Sequence, residues 1–235
     1  MTTDTSAAVS PPRRRVQGGP HLGALGIVVA ALFLVGLVLG TALAGGHPYP
    51  SPFGDGADIV AYFRENPNPV RLGGAFQFGA AIPLAIYAAT VSARLHQLGI
   101  RVPGPTIALA GGLLASGFLA LSGLIGWTLS RAEVQGDPAL VRALQFLNFG
   151  AGGVGHVVPL GLLVAGIAVP GLLARLLPRW LAWAGLVIAG IAELSTLALL
   201  VDGASYLLPV ARFTALAWLI AAGFLLPRQR VRAEG

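Results

Sequence analysis

The residues best equipped for chemistry fall within one apolar stretch. Arg142, Gln145, Phe149, Gly152 and His156 recur at the spacing of a single helical face, with Asn148 at its edge. A polar stripe that enters a bilayer must face protein or a water-filled cavity, because lipid satisfies none of its hydrogen bonds. The pattern therefore describes either an outward-opening polar pocket or a set of interhelical hydrogen bonds with an amphipathic overhang. His156 lies about 15 residues into that helix, a depth of ~20 Å by helix rise. Histidine titrates near neutral pH, so a proton relay is one reading. A neutral imidazole bonded to a neighbouring helix is the structural one. A metal or haem ligand is the third, but His21, His47 and His96 stand at span ends and supply no partner ligand. Metal sites take three or four ligands, and the sequence holds no such cluster.

Glu193 is the one acid well inside an apolar run. A lone charge there is costly, so a protonated or paired state is expected. Pairing with Arg142, or contact with Gln145 or Asn148, fits its depth. Asp202 and Arg212 flank one loop and suggest a rim ion pair, which would contribute little. Gln77 is a further candidate for the pocket. The run Gly150–Gly155 has the spacing GxGxxG, but no strand precedes it and no acid follows, so it reads as a close helix contact rather than a dinucleotide site. No serine–histidine–acid set, P-loop or HExxH is present. No cofactor is expected.

The elements that carry these residues follow from composition. The 235-residue chain is 55% hydrophobic and only 10% charged, against about 25% charged in soluble domains. Its apolar residues form long runs, which read as bilayer spans. The expected fold is an all-α membrane protein, a polytopic bundle of six transmembrane helices over residues 22–227. The spans fall near 22–44, 72–93, 106–129, 141–173, 180–201 and 207–226. The first run is longer than the apolar core of a signal peptide, so it is expected to be retained. A loop over 45–71 follows it, with a short helix from Ala57 to Glu65 capped by Asp55. Asp137-Pro138 starts the fourth helix, with a bend expected near Pro159 or Pro170. Residues 1–21 and 228–235 read as polar and basic tails.

Orientation follows from arginine placement. With the amino terminus inside, Arg13, Arg14, Arg15, Arg94, Arg101, Arg175, Arg179, Arg228, Arg230 and Arg232 lie on the cytoplasmic side. Arg64, Arg71, Arg131, Arg142 and Arg212 lie outside, with most of the acids. Both termini are thus expected in the cytoplasm of a cell with a cytoplasmic membrane. The net charge of +6 comes from arginines scattered at span ends, so no nucleic-acid partner is expected. Cysteine and lysine are both absent, which excludes disulfides, thiolate chemistry and lysine Schiff bases. The expected partners are the lipid bilayer and, through small-residue pairs such as Gly36-x-x-x-Gly40 and Gly112-x-x-x-Ser116, a second copy or a membrane partner protein.

Two stretches carry a family resemblance. Leu177-Pro-Arg-Trp-Leu-Ala-Trp-Ala-Gly-Leu-Val opens the fifth span. Arg212-Phe-Thr-Ala-Leu-Ala-Trp-Leu-Ile-Ala-Ala-Gly-Phe-Leu-Leu-Pro-Arg makes up most of the sixth. The chain resembles the uncharacterised bacterial six-helix membrane proteins grouped as domain-of-unknown-function family 4386. That resemblance implies a bacterial inner-membrane protein and offers no established catalytic residues to carry over. Two function classes stand. One is a non-enzymatic transporter-like or partner-subunit module, binding in a pocket lined by Arg142, Gln145, Asn148, His156 and Glu193. The other is a membrane-embedded redox or lipid-modifying enzyme that uses His156 and Glu193.

Overall fold

The computed structural model describes residues 19–228, and residues 1–18 and 229–235 of the two terminal tails lie outside them. Every apolar run expected to cross a bilayer is helical, and among the described residues six helices are long and apolar enough to do so. The first, α1 (Leu22–Leu43), is capped by His21, whose Nδ1 accepts from the Ala24 amide at 3.2 Å. It stops at Gly45 and Gly46, whose φ angles of 67° and 86° suit glycine. Helix α2 (Gly56–Glu65) follows, and the Asp55 carboxylate caps it by accepting from the Ala57 amide at 2.8 Å.

Helix α3 (Pro67–Gln97) begins five residues before the expected span and ends four after it. Pro67 presets the first turn, so the helix grows out of the loop before its residues become apolar. Arg94, expected in a turn, is inside this helix and 8% exposed. Helix α4 (Gly104–Leu129) and the single turn α5 (Ala132–Gln135) come next. Helix α6 (Pro138–Phe149) is capped by Asp137 through the Ala139 and Leu140 amides. It passes through a π-helical turn, Gly150–Gly155, into α7 (His156–Leu173). Helix α8 (Arg179–Leu194) continues as a 3-10 turn to Leu199, and α9 (Leu207–Leu225) completes the bundle.

The six long elements form a ring in which each packs on the next: α1, α3, α4, α7, α8, α9 and back to α1. Leu84, Tyr87, Leu160 and Leu163 fill its centre. The Tyr87 hydroxyl donates to the Leu219 carbonyl at 2.8 Å, and the Trp218 indole donates to Leu181 at 2.7 Å. Buried polar tips thus find backbone acceptors, as hydrocarbon requires. Helices α3 and α4 cross closely at Gly74 and Gly123: a methyl on either would come within 2.6 Å of the other's carbonyl oxygen. The outside is apolar. Val38, Trp183, Val187 and Phe224 are all more than half exposed, a surface that lipid covers and water would not tolerate. The described chain ends share one end of the bundle, where His21 packs on Phe224 at 5.1 Å. The segments around α2, α5 and the turn before α9 gather at the opposite, loop end.

Candidate functional site

At the loop end, α6 and the π turn face the start of α9, and α4 and α3 pass behind them. Between these elements lies a cavity of about 330 Å³, within the range of small-molecule sites. Its polar lining includes Gln77, Ser122, Gln145, Asn148, Tyr49 and Arg212. The segment Tyr49–Pro52 forms its roof. Gln145 holds that roof by donating from Nε2 to the Pro50 carbonyl at 2.9 Å. Asn148 holds it again, donating from Nδ2 to the Tyr49 hydroxyl at 2.8 Å. Aromatic edges complete the attachment: Tyr49 meets Phe63 at 5.5 Å and Phe53 meets Phe149 at 5.3 Å.

A short hydrogen-bond chain runs across the floor. Ser122 Oγ stands 2.6 Å from Asn148 Oδ1 and 3.3 Å from Gln77 Oε1. One hydroxyl proton serves one acceptor at a time, and the shorter distance assigns it to Asn148. Gly152 makes room for this pair, since a methyl there would stand 2.4 Å from Ser122 Oγ. Asn148 then passes the chain to Tyr49. The Tyr49 phenol proton has no acceptor among the described residues and is free for a ligand. Although 41% of Tyr49 is exposed, its phenol is held above the ordinary tyrosine range. Desolvation is the main cause, and the Asn148 hydrogen bond works against it.

Arg212 is the only charged residue on the cavity wall. Its Nη2 donates to the Gly152 carbonyl, its guanidinium lies 5.2 Å over the Phe33 ring, and its Nε is buried without an acceptor. Among the described residues the one ion pair is Arg131–Glu133, at 3.8 Å. The cation of Arg212 therefore has no carboxylate to balance it, and the expected rim pair with Asp202 does not form. In so apolar a setting its field is weakly screened.

Of the residues singled out from the sequence, the structure brings Gln145 and Asn148 together on this cavity, with Gln77. It separates the other three. Arg142 sits near the start of α6, where α2 covers it: its Nε is 3.8 Å from where a Gly56 methyl would stand, and its guanidinium lies 5.2 Å over Phe146. His156 is 1% exposed, and its Nδ1 is 2.9 Å from the Ala115 carbonyl. A carbonyl only accepts, so that nitrogen carries a proton. The reason His156 leaves the Gln145 face is the π turn. Its extra residue rotates everything downstream by about 100°, and the imidazole meets α4 instead of the cavity. Glu193 is exposed on α8, one residue past Ala192, which packs against Gly161 of α7. No ion pair or hydrogen bond joins it to Arg142, Gln145 or Asn148 among the described residues.

Tyr49 and Ser122 escaped the sequence reading, and Arg212 was expected only in a rim ion pair. The usable signal for Arg212 was its position: it lies several residues inside the last helix, too deep for a rim. Compared with protein-family models, with curated proteins and with solved structures, the chain gives no match.

Proposed function

We propose that this multi-pass membrane protein is a non-enzymatic, transporter-like binding module, and that the loop-end cavity is its recognition site for an anion. The observation that carries this reading is Arg212, a cation on the cavity wall with no carboxylate beside it among the described residues. An uncompensated charge in a low-dielectric site costs free energy, and an anionic ligand recovers it. Tyr49 supplies a free hydroxyl donor and Gln145 a buried Oε1 without a donor, so a ligand bearing both acceptors and a proton fits. The arginine bias supports a reading in which the loop end lies outside a bacterial cytoplasmic membrane, and the cavity would then load from that side. The quoted stretches around Trp180 and Trp218 support placing the chain with domain-of-unknown-function family 4386.

The enzymatic alternative needs His156 and Glu193 at one reaction centre. His156 faces α4 and Glu193 faces away from the bundle, so this geometry favours binding over chemistry. Thermal unfolding of the purified protein tests the reading. Small carboxylates or phosphate, at constant ionic strength, should raise the midpoint, because a ligand at 100 times its Kd adds about 2.7 kcal/mol. Arg212→Gln should abolish that rise. Equal midpoints with every anion would remove the basis for the proposal.

A further inference from the structure

Beside the polar cavity lies a second, of about 110 Å³. It is a slot between α1 and α3, lined on one side by Phe33, Gly36, Leu37 and Gly40 and on the other by Val70 and Gly73. Leu37 at its edge is 44% exposed, on the surface that lipid covers. The slot is mainly apolar, with Thr41 and Tyr62 the polar residues outside the wall it shares with the polar cavity, and glycines keep it open. The two cavities share a wall made of Tyr49, Gln77 and Asn148. Phe33 links them as well: it lines the slot, and its ring lies beneath the Arg212 guanidinium. Tyr49 belongs to a segment without regular secondary structure, so of the wall residues it is the one not fixed in a helix.

We propose that the two cavities are one site for an anionic amphiphile, with its charged head beside Arg212 and its alkyl chain in the slot between α1 and α3. This rests on the anion-binding reading and adds the chain. A head group alone needs only the polar cavity, and an uncharged alkane needs only the slot. The adjacency of an unbalanced cation and a glycine-lined slot, across a wall of Tyr49, Gln77 and Asn148 in which only the loop tyrosine is not held in a helix, fits a molecule with both. The head satisfies Arg212 and accepts from Tyr49 as the ring swings aside. The chain replaces empty space and leaves towards the hydrocarbon past Leu37.

The test uses the full chain in phosphatidylcholine nanodiscs, with radiolabelled decanoate counted above empty discs and with acetate, decanol and phosphatidylglycerol as competitors. Decanoate should bind saturably and at least roughly tenfold more tightly than acetate, since burying two methylenes already amounts to that factor. Decanol should compete poorly. Gly73→Leu fills the slot, and a side chain started there meets no atom within 4 Å, so the variant is expected to fold. It should weaken decanoate about tenfold and leave acetate unchanged, whereas Arg212→Gln should weaken both. Competition by phosphatidylglycerol would identify the source as a membrane lipid, and its failure would identify a free single-chain anion. If acetate and decanoate bind equally, or Gly73→Leu affects neither, the amphiphile is overturned while anion binding stands. If decanol matches decanoate, head recognition fails and the proposal with it. If neither anion binds, the underlying reading falls too. Should Arg212→Gln not fold, the chain-length series and Gly73→Leu still decide.

Discussion

Ser122 of α4 donates its hydroxyl proton to Asn148 of α6 across 2.6 Å, and through Asn148 the bundle grips the loop that bears Tyr49. With the Gln145 bond to Pro50, this chain of bonds ties the transmembrane scaffold to the roof of the cavity. Ser122 itself is 2% exposed, so its loss leaves Asn148 Oδ1 without a donor. Ser122→Ala should cost about 1–2 kcal/mol of stability. In a double-mutant cycle with Asn148→Ala the double variant's loss should fall short of the sum of the two single losses by at least about 0.5 kcal/mol. Strict additivity would mean that the bond does not couple helix and loop.

Gly152→Ala should be destabilising by about 1–3 kcal/mol, because its methyl would stand 2.4 Å from Ser122 Oγ. Removing that oxygen relieves the clash, though Ser122 Cβ remains at 3.0 Å. Adding Ser122→Ala should therefore cost less than the two single losses combined. A larger combined loss would show that Gly152 is needed for the π turn itself rather than for room beside Ser122.

If the anion-binding proposal holds, the unbalanced charge of Arg212 is a cost accepted for binding. Arg212→Met removes an uncompensated charge and retains much of the apolar bulk over Phe33. It also leaves the Gly152 carbonyl without that donor, a loss of similar size and opposite sign. Stability in chemical denaturation should shift by no more than about 1 kcal/mol, while anion-dependent stabilisation disappears. A collapse of the fold would instead make Arg212 a structural strut.

The raised Tyr49 phenol predicts a pH dependence with a definite sign. Because the folded value lies above the unfolded one, the native state holds the proton more tightly. The contribution is fully present below about pH 10, the ordinary tyrosine value, and is lost as pH rises through the folded value. Between pH 9 and 11 the unfolding midpoint of the wild type should fall more steeply than that of Tyr49→Phe. Parallel curves would show that the phenol is not desolvated.

His156 and Glu193 should separate cleanly in stability. His156→Ala deletes a buried ring and its bond to Ala115, and should cost about 2–4 kcal/mol. Glu193→Gln changes an exposed group and should stay within about 0.5 kcal/mol of wild type. Neither should alter anion affinity in protein that remains folded. Loss of anion binding in the Glu193 variant would revive it as a site residue.

Length, composition and the apolar runs sufficed for the all-α, six-span architecture, because a bilayer permits so few alternatives for long uncharged segments. Capping by Asp55 and Asp137 was equally legible, since an N-cap is a contact between neighbours in the chain. Gln145 and Asn148 were found from helical spacing, and that spacing held as far as Phe149. What the sequence could not reveal was the phase change in Gly150–Gly155. The π turn there packs against Ser122 and Phe118 of α4 and Leu208 of α9, contacts that helical spacing does not encode, and it carries His156 away from the cavity. Glu193 and Arg212 exchanged roles for a related reason. A charge in an apolar run must face something, but which way its helix turns depends on neighbours distant in sequence. Ala192 settles inward beside Gly161 and sends Glu193 out; the Gly152 carbonyl and the Phe33 ring draw Arg212 in.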